Sequence, residues 1–130
     1  MQQSASQMVA QARARVRKLS PDQVALALIH KSARLIDVRE ECEIVADGRI
    51  VPSHHAPRGM LEFHADPSSP DHQDAFDLTA SLIVVCSNGA RSALAAHTLQ
   101  QLGFEDIAHM EGGLAAWIRH GFPVDRARSA

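Results

Sequence analysis

Two stretches of this 130-residue chain, "ARLIDV" (33–38) and "SLIVV" (81–85), are apolar along almost their whole length. A strand with one wet face alternates apolar and polar residues, whereas a short continuous apolar run suits a strand covered on both faces. Stretches with helical signals lie before, between and after these runs. Strands of this kind alternating with helices predict an α/β fold, a central parallel sheet flanked by helices in three layers. A chain of 130 residues is long enough for one such core and too short for two.

Local signals place the remaining elements. Met8, Val9, Ala12, Val16 and Leu19 recur at helical spacing and predict an N-terminal helix lying on the domain. The same segment holds Arg13, Arg15, Arg17 and Lys18 without an acid, a composition that also suits an organelle transit peptide. Ser20, Pro21 and Gln23 make a capping box with proline at the first helical position, so a helix should follow through Lys31. Residues 39–48 predict a short helix stopped by Gly48, 49–57 an extended or turning segment broken by Pro52 and Pro57, and 58–66 another short helix. The polar stretch 67–80, with Pro67 and Pro70, predicts a surface loop with one helical turn around Phe76. It is long enough for a lid or a docking surface, although its chemistry demands neither. Further on, a helix should present Leu94, Thr98, Leu99 and Leu102 on one face and end at Gly103. Residues 105–110 predict a strand, and 112–121 a last helix with Leu114, Trp117 and Ile118 on its packing face. Phe104 and Phe122 are expected in packing roles.

Composition excludes several classes. A formal net charge of −2 does not suit a general nucleic-acid binder. No apolar run reaches the roughly 18 residues of a membrane span, and no secretory signal pattern opens the chain. Cys42 and Cys86 are too few for a disulfide framework and lack metal-ligand spacing, so a reducing, cytoplasmic setting is expected. The eight histidines, His54, His55, His64 and His72 among them, fit no zinc pattern, and no metal or cofactor is expected.

The chemistry concentrates in "CSNGARS", residues 86–92, where the second apolar run ends and a helix begins. Ligands of parallel sheets bind at the carboxyl ends of the strands, the position of Cys86 and also of Asp37, Arg39 and Glu40. A thiolate is the reactive form of cysteine, and the unpaired amides and dipole at a helix start favour an anion. Gly89 permits the chain to turn inward, so that several amides form an anion nest, and Arg91 adds a positive charge. No separate general base is then required. The plainer alternative is a buried structural cysteine at a strand end. Cys42, beside Glu40, Glu41 and Glu43, reads as an ordinary helix cysteine, with a second, resolving thiol as the sharper alternative.

"CSNGARS" resembles the active-site loop of rhodanese-type sulfurtransferases, Cys-x-x-Gly-x-Arg-Ser. "LIDVRE", "DGRIVPSHHAPRG" and "MEGGLAAWIRHGFPV" resemble further motifs of that family in its own order, so the likeness spans about 20–124. It implies a rhodanese-like α/β domain over 20–126, preceded by a helical extension (1–19) and followed by a tail (127–130). It implies that Cys86 accepts a sulfane sulfur, holds it as a persulfide and passes it to an acceptor. Ser87, Asn88, Gly89, Ala90, Arg91 and Ser92 would bind the substrate, the amides from Ser87 to Arg91 cradling the outer sulfur and Arg91 with Ser92 fixing the loop. Asp37 and Arg39 would buttress it. Apart from the resemblance, His55 and Arg58 are candidates for the rim of the site, where an arginine suits an anionic donor. The implied partners are a small donor of thiosulfate or polysulfide type and a nucleophilic acceptor, a small molecule or a protein thiol. The resemblance leaves two further functions open, a rhodanese-like binding or redox-sensing module and a persulfide relay to a partner protein. Here the family's Pro-Gly-Ala reads Val51-Pro52-Ser53, and His54 occupies a place usually apolar. Ser87 stands where thiosulfate-using members often carry a basic residue, which implies weaker binding of that dianion. Phosphatases of this fold have one more residue between Cys and Arg; the four here favour sulfur over phosphate.

Overall fold

The computed structural model describes residues 2–126, so the tail 127–130 lies outside the described residues. In chain order the elements are α1 (Ala5–Arg15), β1 (Arg17–Leu19), α2 (Pro21–Ile29), β2 (Arg34–Asp37), α3 (Glu41–Asp47) and β3 (His54–His55). A 3-10 turn (Arg58–Met60) then runs into α4 (Leu61–Ala65), followed by β4 (Leu82–Val85), α5 (Ala90–Gln101), β5 (Ile107–Met110) and α6 (Gly113–Arg119). The five strands form one parallel sheet in the order β1-β5-β4-β2-β3. This is the expected α/β architecture.

The unbroken apolar runs are explained by two cores. Leu82 and Val84 of β4 join Ile36, Leu61, Ala95, Ala96 and Leu99 on the face covered by α4 and α5. The alternate residues Ile83 and Val85 join Leu35, Val24, Leu114 and Trp117 on the face covered by α2 and α6. Both sides of the strand are dry, so both sets of side chains are apolar. Ser20 and Gln23 bond to each other's backbone amides as the capping box predicts, and α2 begins there. The predicted strands at 33–38, 81–85 and 105–110 all form, and Gly48 ends α3 as expected. The Val51–Pro52 peptide in the turn before β3 is cis.

Four local expectations need correction. The helix predicted over 8–19 stops at Arg15, and 17–19 becomes an edge strand pairing Lys18 with His109 and Leu19 with Met110. Val16 packs into the α5-side core and Leu19 against the other one, an alternation of faces that a strand permits and a helix does not. A three-residue strand is too short for its period to stand out beside a helix. The buried face of α5 is made of Ser92, Ala93, Ala95, Ala96 and Leu99, while Leu102 is exposed. The helix is narrow because it is packed on two sides, by the sheet and by α1. In α6, Leu114, Ala116 and Trp117 are buried and Ile118 faces out. Finally, no helical turn forms around Phe76; its ring is buried edge-on between His54 and Phe104. The polar loop is thereby pinned to the core by one aromatic anchor.

Removing that anchor should open a large void. Phe76→Ala is expected to lower unfolding free energy by about 3 kcal/mol, read as a reduced urea midpoint at unchanged slope.

Candidate active site

The site begins where β4 ends. The Cys86 carbonyl accepts a hydrogen bond from the Leu114 amide at 2.8 Å, and the Ser87 carbonyl one from Ala115 at 3.1 Å. The first turn of α6 thus grips the cysteine loop through amides that would otherwise lack helical partners. Such an approach needs a glycine. A Cβ on Gly113 would fall 2.5 Å from the Ser87 carbonyl carbon and 2.6 Å from both the Asn88 nitrogen and the Cys86 oxygen, at a φ of +62°.

Gly89, at φ +99°, turns the chain into α5 as the sequence predicted. The turn aims two amides at Cys86: the nitrogens of Gly89 and Ser92 each lie 3.2 Å from its Sγ. The sulfur is buried, and it faces the N-terminal turn of a twelve-residue helix. Two donors and the helix start all favour negative charge on sulfur. Asn88 Oδ1 accepts from the Ala90 amide at 3.2 Å, which stiffens the loop from within. The Ser92 hydroxyl reaches the Gly89 carbonyl at 3.2 Å and Nδ1 of His109 at 3.0 Å.

Arg91 does not stand free beside the sulfur. Its guanidinium makes a two-pronged bond to Glu43 of α3, at 2.7 and 2.8 Å. Arg91 holds the Glu43 carboxyl down to about 2, against the opposing effect of burial. Glu43 is a site residue whose sequence position marks it only as an acidic neighbour of Cys42. Asp37 and Arg39 form a buried pair at 2.8 Å, and Arg39 also donates to the Gly48 carbonyl at 2.8 Å. Their buttressing is therefore indirect: they clamp the two ends of α3 together, and α3 presents Glu43 to Arg91.

The two expected rim residues are engaged by protein partners. His55 Nε2 bonds to the Arg39 carbonyl. Arg58 pairs with Glu62 and donates to Thr98, two helical turns beyond the start of α5, and so does not reach the loop. Cys42 is an exposed free thiol on α3. Among the described residues no cluster of three or more His, Cys, Asp or Glu could hold a metal ion, and no helix is long and apolar enough to cross a membrane.

A family model for the rhodanese-like domain matches residues 20–120. The chain belongs to the rhodanese-like domain family. It is 35% identical over 108 residues to the thiosulfate sulfurtransferase GlpE of Stutzerimonas stutzeri, covering 83% of this chain and 90% of that one. A sulfurtransferase of Allochromatium vinosum is 31% identical over 94 residues, covering 69% and 76%. Among solved structures, the polysulfide-sulfur transferase homodimer of Wolinella succinogenes aligns with a TM-score of 0.73 at 35% identity, over 92% of this chain and 85% of that one. A Rhodopseudomonas palustris protein of unknown function, described as a "Possible Tyrosine Phosphatase", aligns with a TM-score of 0.91 at 33% identity, over 96% of each chain. This rhodanese-like chain is an enzyme of the sulfurtransferase type. Its α1 and β1 precede the segment the family model covers.

Two outcomes follow from the geometry. Gly113→Ala should displace the loop and lower sulfurtransferase activity at least tenfold while costing about 2 kcal/mol of stability, checked by activity and urea unfolding together. Glu43 has a carboxyl held below its ordinary 4.5, so its bridge adds stability above that pH and loses it as the pH falls toward about 2. Glu43→Gln should cost about 1 kcal/mol at pH 7. Its melting temperature should approach that of the wild type as the pH drops from 4.5 toward 3.

Proposed function

We propose that this rhodanese-type sulfurtransferase works through a persulfide on Cys86. The thiolate attacks the terminal sulfane sulfur of a donor of thiosulfate or polysulfide type. A bond forms between Sγ and that sulfur as the donor's own S–S bond breaks. The electron pair of that bond leaves with sulfite or with the shortened polysulfide. An acceptor nucleophile, a small molecule or a protein thiol, then attacks the outer sulfur, and the Cys86 thiolate departs unchanged. Ser87, Asn88, Gly89, Ala90, Arg91 and Ser92 form the cradle for the outer sulfur. Two free thiols fit a cytoplasmic setting.

The observation that carries this reading is the pair of amides, Gly89 and Ser92, at 3.2 Å from a buried sulfur. They stabilise the thiolate before transfer and as the leaving group afterwards. Burial suits the transfer of a single atom. The phosphate chemistry named for the Rhodopseudomonas palustris protein fits this loop less well. Only four residues separate Cys86 from Arg91, and Arg91 is engaged by Glu43 rather than open to a phosphate.

Intact-mass measurement after exposure to thiosulfate, and separately to polysulfide, tests the proposal. One added sulfur on the wild type, absent from Cys86→Ser and discharged by cyanide, is the expected result, with no hydrolysis of p-nitrophenyl phosphate. Reduced Cys86 that takes no sulfur from either donor would leave a binding module as the function.

A further inference from the structure

His109 is a polar residue on the sheet face otherwise built by Ile36, Leu82, Val84 and Ile107. It lies in β5 two residues after Ile107, on the face covered by α5, and is fully buried. A buried imidazole needs partners for both ring nitrogens. Nδ1 is 3.0 Å from the Ser92 hydroxyl, and Ser92 is the residue whose amide lies 3.2 Å from Cys86 Sγ. Nε2 faces Glu111 Oε2 across 3.6 Å, an electrostatic contact rather than a hydrogen bond, and both are buried atoms that make no hydrogen bond. The second Glu111 oxygen is 3.7 Å from the guanidinium of Arg13, on α1. A line of polar groups therefore runs from α1 through Glu111, His109 and Ser92 to the sulfur.

The proton count along this line is restrictive. The Ser92 hydroxyl has one hydrogen and two candidate acceptors, the Gly89 carbonyl and His109 Nδ1. Burial pushes His109 below the ordinary histidine range, helped by Arg13 and Lys18 and opposed by Glu111, so the ring is neutral at pH 7. A neutral ring places its hydrogen on the nitrogen that faces a carboxylate, here Nε2. Nδ1 is then the acceptor, and Ser92 donates to it. That bond ties the first turn of α5 to β5.

We infer that His109 is a positioning residue for the sulfur-transfer site, holding Ser92 so that its amide stays on Cys86 Sγ, with Glu111 and Arg13 selecting the tautomer that does so. The inference rests on the assignment of Cys86 as the reacting thiol. It gives α1, which lies outside the segment matched by the family model, a part in the chemistry.

Two substitutions separate positioning from packing, because Asn carries an amide near the place of Nδ1 and Gln carries one near the place of Nε2. His109→Asn should keep the Ser92 partner, His109→Gln lose it. The rate of Cys86 alkylation by iodoacetamide is measured against pH, together with the kcat and KM of sulfur loading from the donor that proves competent. For His109→Gln the alkylation profile should move to higher pH and kcat should fall about tenfold with KM little changed, the consequence of one lost hydrogen bond. His109→Asn should stay within about twofold of wild type, since it retains that bond. Ser92→Ala should shift the profile as His109→Gln does and serves if the latter fails to fold. Equal behaviour of folded Asn and Gln variants, or an unmoved profile in Ser92→Ala, would overturn the inference. Alkylation reads the thiol directly, so it tests the role of His109 even in a protein that takes up no sulfur. The mass measurement judges the persulfide separately.

Discussion

Two amide hydrogens, from Gly89 and Ser92, converge on the sulfur of Cys86, and most of the neighbouring structure serves to keep them there. Neither amide could reach it had the chain simply continued as a strand. The turn at Gly89 brings the first, and the opening turn of α5 brings the second. A loop this tight has carbonyls pointing outward, and those of Cys86 and Ser87 would be orphaned without the amides of Leu114 and Ala115. The last helix is thus as much a part of the site as the loop is. At Gly113 the two backbones leave no room for a side chain.

Charge is arranged with the same economy. Arg91 is the obvious cation of the loop, yet its charge is balanced by Glu43 and its geometry fixed across two helices. What the sulfur meets is mainly backbone dipole, which cannot rotate away or be screened as a surface side chain can. The buried Asp37–Arg39 pair has a matching role. Ion pairs of this kind add little net stability but are costly to break singly. Here the pair sets the path of the chain from β2 into α3 and so decides where Glu43 stands.

How much of this was legible in the sequence depended on the range of the interaction. Ser20 with Gln23, Gly48 and Gly89 act within a few residues, and their roles could be read directly. The core strands were legible because burial on both faces leaves an unmistakable apolar run. The cysteine loop was legible as chemistry because strand, turn glycine and helix start are adjacent in the chain. Glu43 and His109 were not, since their partners lie 48 and 17 residues away and only the fold brings them together. His109 did leave a trace, a polar residue inside the apolar run "IAHM". Phe76 was hidden by its polar neighbours, and β1 by its length of three residues.

The segment before Ser20 changes the environment of α5. With α1 laid along it, α5 is enclosed between a helix and the sheet, which explains a buried surface built largely of alanine where leucines were expected. Strand β1 adds itself to the free side of β5, giving the sheet a short, charged edge of the kind that resists further pairing. By covering β5 it also shuts His109 away from water, because Lys18 is paired alongside it in the sheet register. An imidazole at an exposed edge would exchange protons freely and hold no fixed tautomer. Enclosed between β1, α1 and α5, with the Glu111 carboxylate facing one nitrogen and Ser92 bonded to the other, it is held in the tautomer that accepts from Ser92. The added helix and strand therefore do not merely extend the core; they convert a strand-face histidine into part of the wall that holds the cysteine loop.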